Sequence, residues 1–83
     1  MINPRLLVKT KHGDSSSYSL RGVIYYGQHH FTCRFISRRG VVWYHNGIAT
    51  GSSLVNEGFL SSVDLSICGT QMASVALYTL PFN

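Results

Sequence analysis

Apolar and polar residues alternate along most of this chain, and the alternation breaks at short stretches rich in glycine and serine. A period of two predicts strands rather than helices. On this pattern strands are expected at Arg5–Lys11, Tyr18–Tyr26, His29–Ser37, Val41–Asn46 and Met72–Leu80, all rich in Val, Ile, Tyr, Phe and Trp. His12–Ser17 reads as a polar loop, and Gly47–Gly58 as an irregular stretch punctuated by Gly47, Gly51, Asn56 and Gly58. Phe59–Ile67 fits a short strand or a helical turn equally well. The expectation is a mainly β fold: an antiparallel meander of about five strands with room for one short helix, forming a single small domain over residues 1–83.

Two turns set the register. Gly27-Gln28 suits a two-residue type II′ hairpin, which would pair Tyr26 with His29, Ile24 with Phe31 and Leu20 with Phe35. The next connection, Arg38-Arg39-Gly40, is better read as a three-residue loop with Gly40 left-handed, since a two-residue loop would force positive φ on both arginines. That loop pairs Phe35 with Trp43 and Cys33 with His45. One face then carries Leu20, Ile24, Phe31, Cys33, Phe35, Val41 and Trp43 and is expected to be the core. The other carries Tyr25, His30, Thr32, Arg34, Tyr44 and Asn46, with His29 turned away from His30. In this register His30 and Asn46 are diagonal neighbours on adjacent strands, roughly 7–8 Å apart between backbones.

A histidine beside an asparagine is the base and orienter of nucleophilic catalysis. The amide oxygen accepts one imidazole proton, fixes the tautomer and leaves the other nitrogen to activate a thiol. The same residues also read as a surface histidine and a turn asparagine, because Asn46-Gly47 is itself a turn signal. Neither cysteine supplies an obvious nucleophile: Cys33 is assigned to the core face, and Cys68 lies in a possible turn far along the chain.

Tyr18-x-Leu20-x-Gly22-Val23-Ile24, His30-Phe31-Thr32-x-Arg34 and Trp43-Tyr44-His45-Asn46 together resemble the C-terminal part of the ubiquitin-specific protease catalytic domain, and Ala76-Leu77-Tyr78 is similar to its last strand. That family consists of papain-like cysteine peptidases that remove ubiquitin. The resemblance implies the C-terminal β subdomain of a papain-like fold, with His30 as general base and Asn46 as its orienter. This sequence departs from the family in several places. His29 stands where a glycine usually precedes the histidine, the loop before it is short, and the Trp-to-Asn spacing is one residue shorter. The family's nucleophilic cysteine lies in an upstream box for which these 83 residues leave no room, and the zinc-binding fingers are missing. What the resemblance implies is a part or a reduced relative, inactive alone, whose partners would be ubiquitin or a cysteine-bearing segment.

Composition narrows the alternatives. Forty-five per cent hydrophobic and 12% charged residues describe a globular chain, with no apolar run long enough for a membrane span. Basic residues flank Leu6-Leu7-Val8, but that run is too short for a secretory signal, so an intracellular protein is expected. A formal charge of +4 is dispersed, with only Lys9/Lys11 and Arg38/Arg39 close together, and is not the footprint of a nucleic-acid binder. Four histidines and two cysteines lack the spacing of a zinc site, and no phosphate loop is present, so neither metal nor cofactor is expected. The competing class is a non-catalytic β interaction module that binds a protein, or single-stranded nucleic acid, through the Tyr25/Tyr44 face.

Overall fold

The protein was analysed as a computed structural model, which describes residues 2–46 and 54–80. Among the described residues seven strands form one antiparallel sheet: β1 Arg5–Lys9, β2 Ser15–Gly27, β3 His30–Ile36, β4 Val41–His45, β5 Val55–Phe59, β6 Ile67–Cys68 and β7 Gln71–Thr79. They lie in the order β5-β4-β3-β2-β7-β6, and β1 pairs with the first half of β2. The sheet curls into a half-barrel. The five expected strands are all present. Two more appear: β5, inside the stretch read as irregular, and the short β6. The only helical turn among the described residues is a 3-10 turn at Leu60–Ser62. Residues Ser15–Ser17, expected in a loop, belong to β2, because β1 offers them a ladder through Leu7, Val8 and Lys9. The reversal is confined to the turn at Thr10–Asp14, where Thr10 N–H donates to Asp14 O over 2.7 Å and Gly13 has a φ of 89°.

The second hairpin has the expected register, with Phe35 opposite Trp43, Cys33 opposite His45, and Gly40 left-handed at φ 84°. The first is shifted. Gly27 pairs with His30 and Tyr25 with Thr32, so the loop is Gln28-His29, and both residues have positive φ, 53° and 67°. That is the pattern of a type I′ turn rather than II′. A shift of two preserves which residues share a face, so the face assignments survive the error.

The two faces, however, are inverted relative to the expected core. Tyr25, Val23, Thr32, Arg34, Ile36 and Val42 are buried on the inner face, while Phe31 (62% exposed) and Phe35 (48%) lie on the outer face with Ile24, Val75 and Leu77. Leu20 is also buried, on the side of Val23, because an extra residue on β2 between Leu20 and Gly22 reverses the alternation. The inversion follows from the topology. β5 and β6 lie at opposite ends of the sheet order, so residues 60–66 must cross the sheet to connect them. This strap packs Leu60, Val63 and Leu65 against the inner face. Tyr25, proposed from the sequence as part of an exposed binding face, is therefore fully buried.

A strap passing under a sheet carries backbone carbonyls that the ladder cannot satisfy. Two inner-face side chains satisfy them. Tyr25 Oη donates to Leu65 O over 2.7 Å, and Arg34 Nη1 donates to Asp64 O and Ile67 O over 3.0 and 2.9 Å. The rest of the guanidinium grips Glu57 on β5, with Nε to Oε1 at 2.6 Å and Nη2 to Oε2 at 3.3 Å. Glu57 faces inward by alternation from Asn56, which lies opposite Trp43 on the outer face, and the extra residue of β5 falls beside it at Gly58, whose φ is 94°. Burial by itself would lower the Arg34 pKa, but the bonds to Glu57 and to the Tyr25 hydroxyl outweigh it and hold the group above its usual range. Burial raises the Tyr25 phenol, and the Arg34 contact only partly opposes this.

Arg34→Met leaves the Glu57 carboxylate and two strap carbonyls without their donor. It is expected to cost about 3–5 kcal/mol in urea unfolding. Adding Glu57→Leu should recover part of that loss. A cost under about 1 kcal/mol for Arg34→Met alone would show that the strap is held by apolar packing and not by this hub.

Candidate functional site

The sequence-predicted pair lies where β2 turns into β3 and where β4 ends. His30 opens β3 directly after the Gln28-His29 turn, and Asn46 follows His45, the last residue of β4. Both line one cavity of about 190 Å³ at this end of the inner face. The same cavity is lined by Tyr44, Cys68 and Gln71.

Gln71, the first residue of β7, organises the site. Its side chain is buried and spans both strands of the hairpin. Nε2 donates to Gly27 O over 2.8 Å and to His30 O over 3.0 Å, and Oε1 accepts from the Thr32 hydroxyl. Nε2 also stands 3.4 Å from His30 Nε2, and His30 Nδ1 lies 3.3 Å from Gln28 O. These neighbours favour one tautomer: Nδ1 carries the proton and donates to the carbonyl, while the Nε2 lone pair faces the amide. The turn is tied to the opposite edge by Gln28 Nε2, which donates to Thr70 Oγ1 over 2.9 Å. That tie offsets part of the steric cost of two consecutive left-handed residues without glycine.

The short approach of Gln71 explains Gly27. A Cβ there would sit 3.0 Å from Gln71 Cγ and 3.3 Å from its Cα. The glycine read from the sequence as a turn residue is therefore a clearance residue, one position before the turn.

The other sequence candidates fall elsewhere. His29 is exposed in the turn. Cys33, assigned to the core, is half-buried on the outer face, where its thiol points to His45 O at 3.9 Å and partial burial raises its pKa. Cys68, set aside as a distant turn cysteine, is buried and lines the His30–Asn46 cavity. Sequence reasoning missed Cys68 and Gln71 because only the strap determines that β6 and β7 return beside β2. The one available signal was the polar Gln71 at the start of an apolar strand. Among the described residues no group of three or more His, Cys, Asp or Glu gathers in metal-binding proximity. No family model, no curated protein and no solved structure matches this chain.

Gly27→Ala is expected to displace Gln71 and cost about 1–3 kcal/mol, as an overpacked contact does. Gly27→Ala combined with Gln71→Ala should cost less than the sum of the two single changes, measured as urea midpoints. Strict additivity would mean that Gly27 and Gln71 do not meet.

Proposed function

We propose that this chain is the C-terminal β subdomain, or a reduced relative, of a ubiquitin-specific-protease-like domain. It supplies His30 and Asn46 to a Cys-His-Asn site for ubiquitin isopeptide hydrolysis. The observation that carries this reading is the shared cavity: a histidine at the start of one strand and an asparagine at the end of its neighbour open onto the same space. On binding a cysteine-bearing segment, His30 would exchange its Gln71 contact for the thiol whose proton it takes, and Asn46 would replace Gln28 O as the group that orients the imidazole. The thiolate would attack the isopeptide carbonyl, the lysine amine would leave with the proton from His30, and water would release the acyl group. The chain by itself is inactive on this reading.

The outer face favours a second reading: a non-catalytic interaction module. Three cross-strand rows make an apolar surface: Met72, Tyr26 and Phe31; Val75, Ile24 and Cys33; Leu77, Phe35 and Trp43. A monomer seldom exposes so continuous a patch. The chain has three carboxylates against seven Lys and Arg, and Glu57 is engaged by Arg34. The matching occupant is a protein surface with an apolar centre and an acidic periphery, since two copies at +4 each would repel.

The first reading is tested by nitrogen-detected NMR of the His30 ring and by titration with ubiquitin. Asn46→Ala should move the His30 ring resonances while His29→Ala does not. Ubiquitin should shift the amides of His30, Thr32 and Asn46, with no hydrolysis of a ubiquitin–fluorophore conjugate. An unchanged His30 ring in Asn46→Ala removes the pair, and hydrolysis abolished by Cys68→Ser overturns inactivity alone.

For the second reading, Phe31→Glu with Phe35→Glu should leave unfolding stability within about 1 kcal/mol, as exposed positions do. The same pair should remove most binding of a hydrophobic dye. Unfolding of this double variant, comparable to that of Val42→Glu, would show that the outer face is core.

A further inference from the structure

At the opposite end of β3 from His30, beside the Arg38-Arg39-Gly40 turn, lies a cavity of about 240 Å³. Arg5, Arg21 and Arg38 all line it, each from a different part of the chain: β1, the bulged middle of β2, and the β3–β4 turn. A fourth arginine, Arg39, lines the adjoining cavity, which shares Pro4, Gly40 and Leu60 with the first. Four of the seven Lys and Arg residues thus gather at one end of the sheet. Among the described residues no carboxylate lines either cavity.

This gathering is built by the fold. Arg21 sits within the β2 register break and is half-buried, with Nη1 3.5 Å from Ser37 O. Arg5 is brought alongside by the pairing of Arg5 with Ser19. Arg38 is set by the turn, in which Gly40 N–H donates to Ser37 O over 3.0 Å. The Ser37 hydroxyl oxygen accepts from Val41 N–H over 3.1 Å, which leaves its own proton to donate. Leu20 and Ile36, both buried, form the floor, and an apolar floor strengthens any charge interaction above it.

Three arginines line one small cavity, and an oxyanion placed there would meet three positive side chains. Guanidinium forks match the paired oxygens of a phosphate group, and the space takes a phosphate with a short substituent. We propose that this cavity is a binding site for a phosphate-sized dianion, either the free ion or a small phosphate monoester. The site lies apart from the His30–Asn46 cavity and does not depend on the function proposed above.

The test is an amide NMR titration of the whole chain at constant ionic strength. The probes are inorganic phosphate and glycerol 3-phosphate, with sodium chloride and acetate as references. Both phosphates, or one of them, should shift Ser19–Arg21 and Ser37–Gly40 saturably, and the stronger probe identifies free ion or ester. Arg38→Gln and Arg5→Gln, both at exposed positions, should each weaken binding about tenfold. Arg39→Gln should change it less than twofold. Shifts that do not saturate, that acetate or chloride reproduces, or that persist unweakened in a folded Arg5→Gln/Arg38→Gln double variant overturn the proposal.

Discussion

The Arg34 guanidinium ties β5 and β6, the two ends of the sheet order, and the strap between them to the middle of the sheet. It is buried on the inner face, where it binds the Glu57 carboxylate of β5, the Asp64 carbonyl of the strap and the Ile67 carbonyl of β6. A charge in such a place is tolerable only when nearly every donor is matched. The matching groups come from residues 57, 64 and 67, so the path of the chain after β4 is constrained by the need to satisfy one side chain on β3. Tyr25 extends the hub, since its hydroxyl bonds Leu65 O and also lies 3.2 Å from Arg34 Nη1.

The His30–Asn46 cavity inherits its form from this hub. Once the strap has crossed, β6 and β7 return beside β2, and Gln71 enters between the strands of the first hairpin. Its amide fixes Gly27, His30 and Thr32 together. The polar end of the inner face is thus rigid and connected by hydrogen bonds, while the outer face is apolar and uncovered. Arg34 is buried on one face while Phe31 and Phe35 are exposed on the other, and both proposed functions draw on that asymmetry.

Much of the local structure was legible in the residues. Alternation located five strands, and Gly40 specified the three-residue turn that sets β3 against β4. The diagonal placement of His30 and Asn46 followed from parity, which a two-residue slip in the first turn could not disturb. The errors share a cause. The register break at Leu20–Gly22 changes parity with only a glycine to mark it, so that Leu20 lies on the side of Val23 could not be read from alternation. Cys68 and Gln71 reached the cavity by a long-range crossing that no local pattern encodes.

By itself the sequence determined that the chain is an antiparallel β protein, which residues share a face, and that one histidine and one asparagine point the same way. These are properties of a period of two and of turn stereochemistry, both local. Only the tertiary structure decided which face is inside. Hydrophobicity assigned the core to the phenylalanines, but the strap had to cross one face, and its carbonyls required donors that only Arg34 and Tyr25 could supply. Burial went to the face that could satisfy the backbone, because an unpaired buried carbonyl costs more than an exposed aromatic ring.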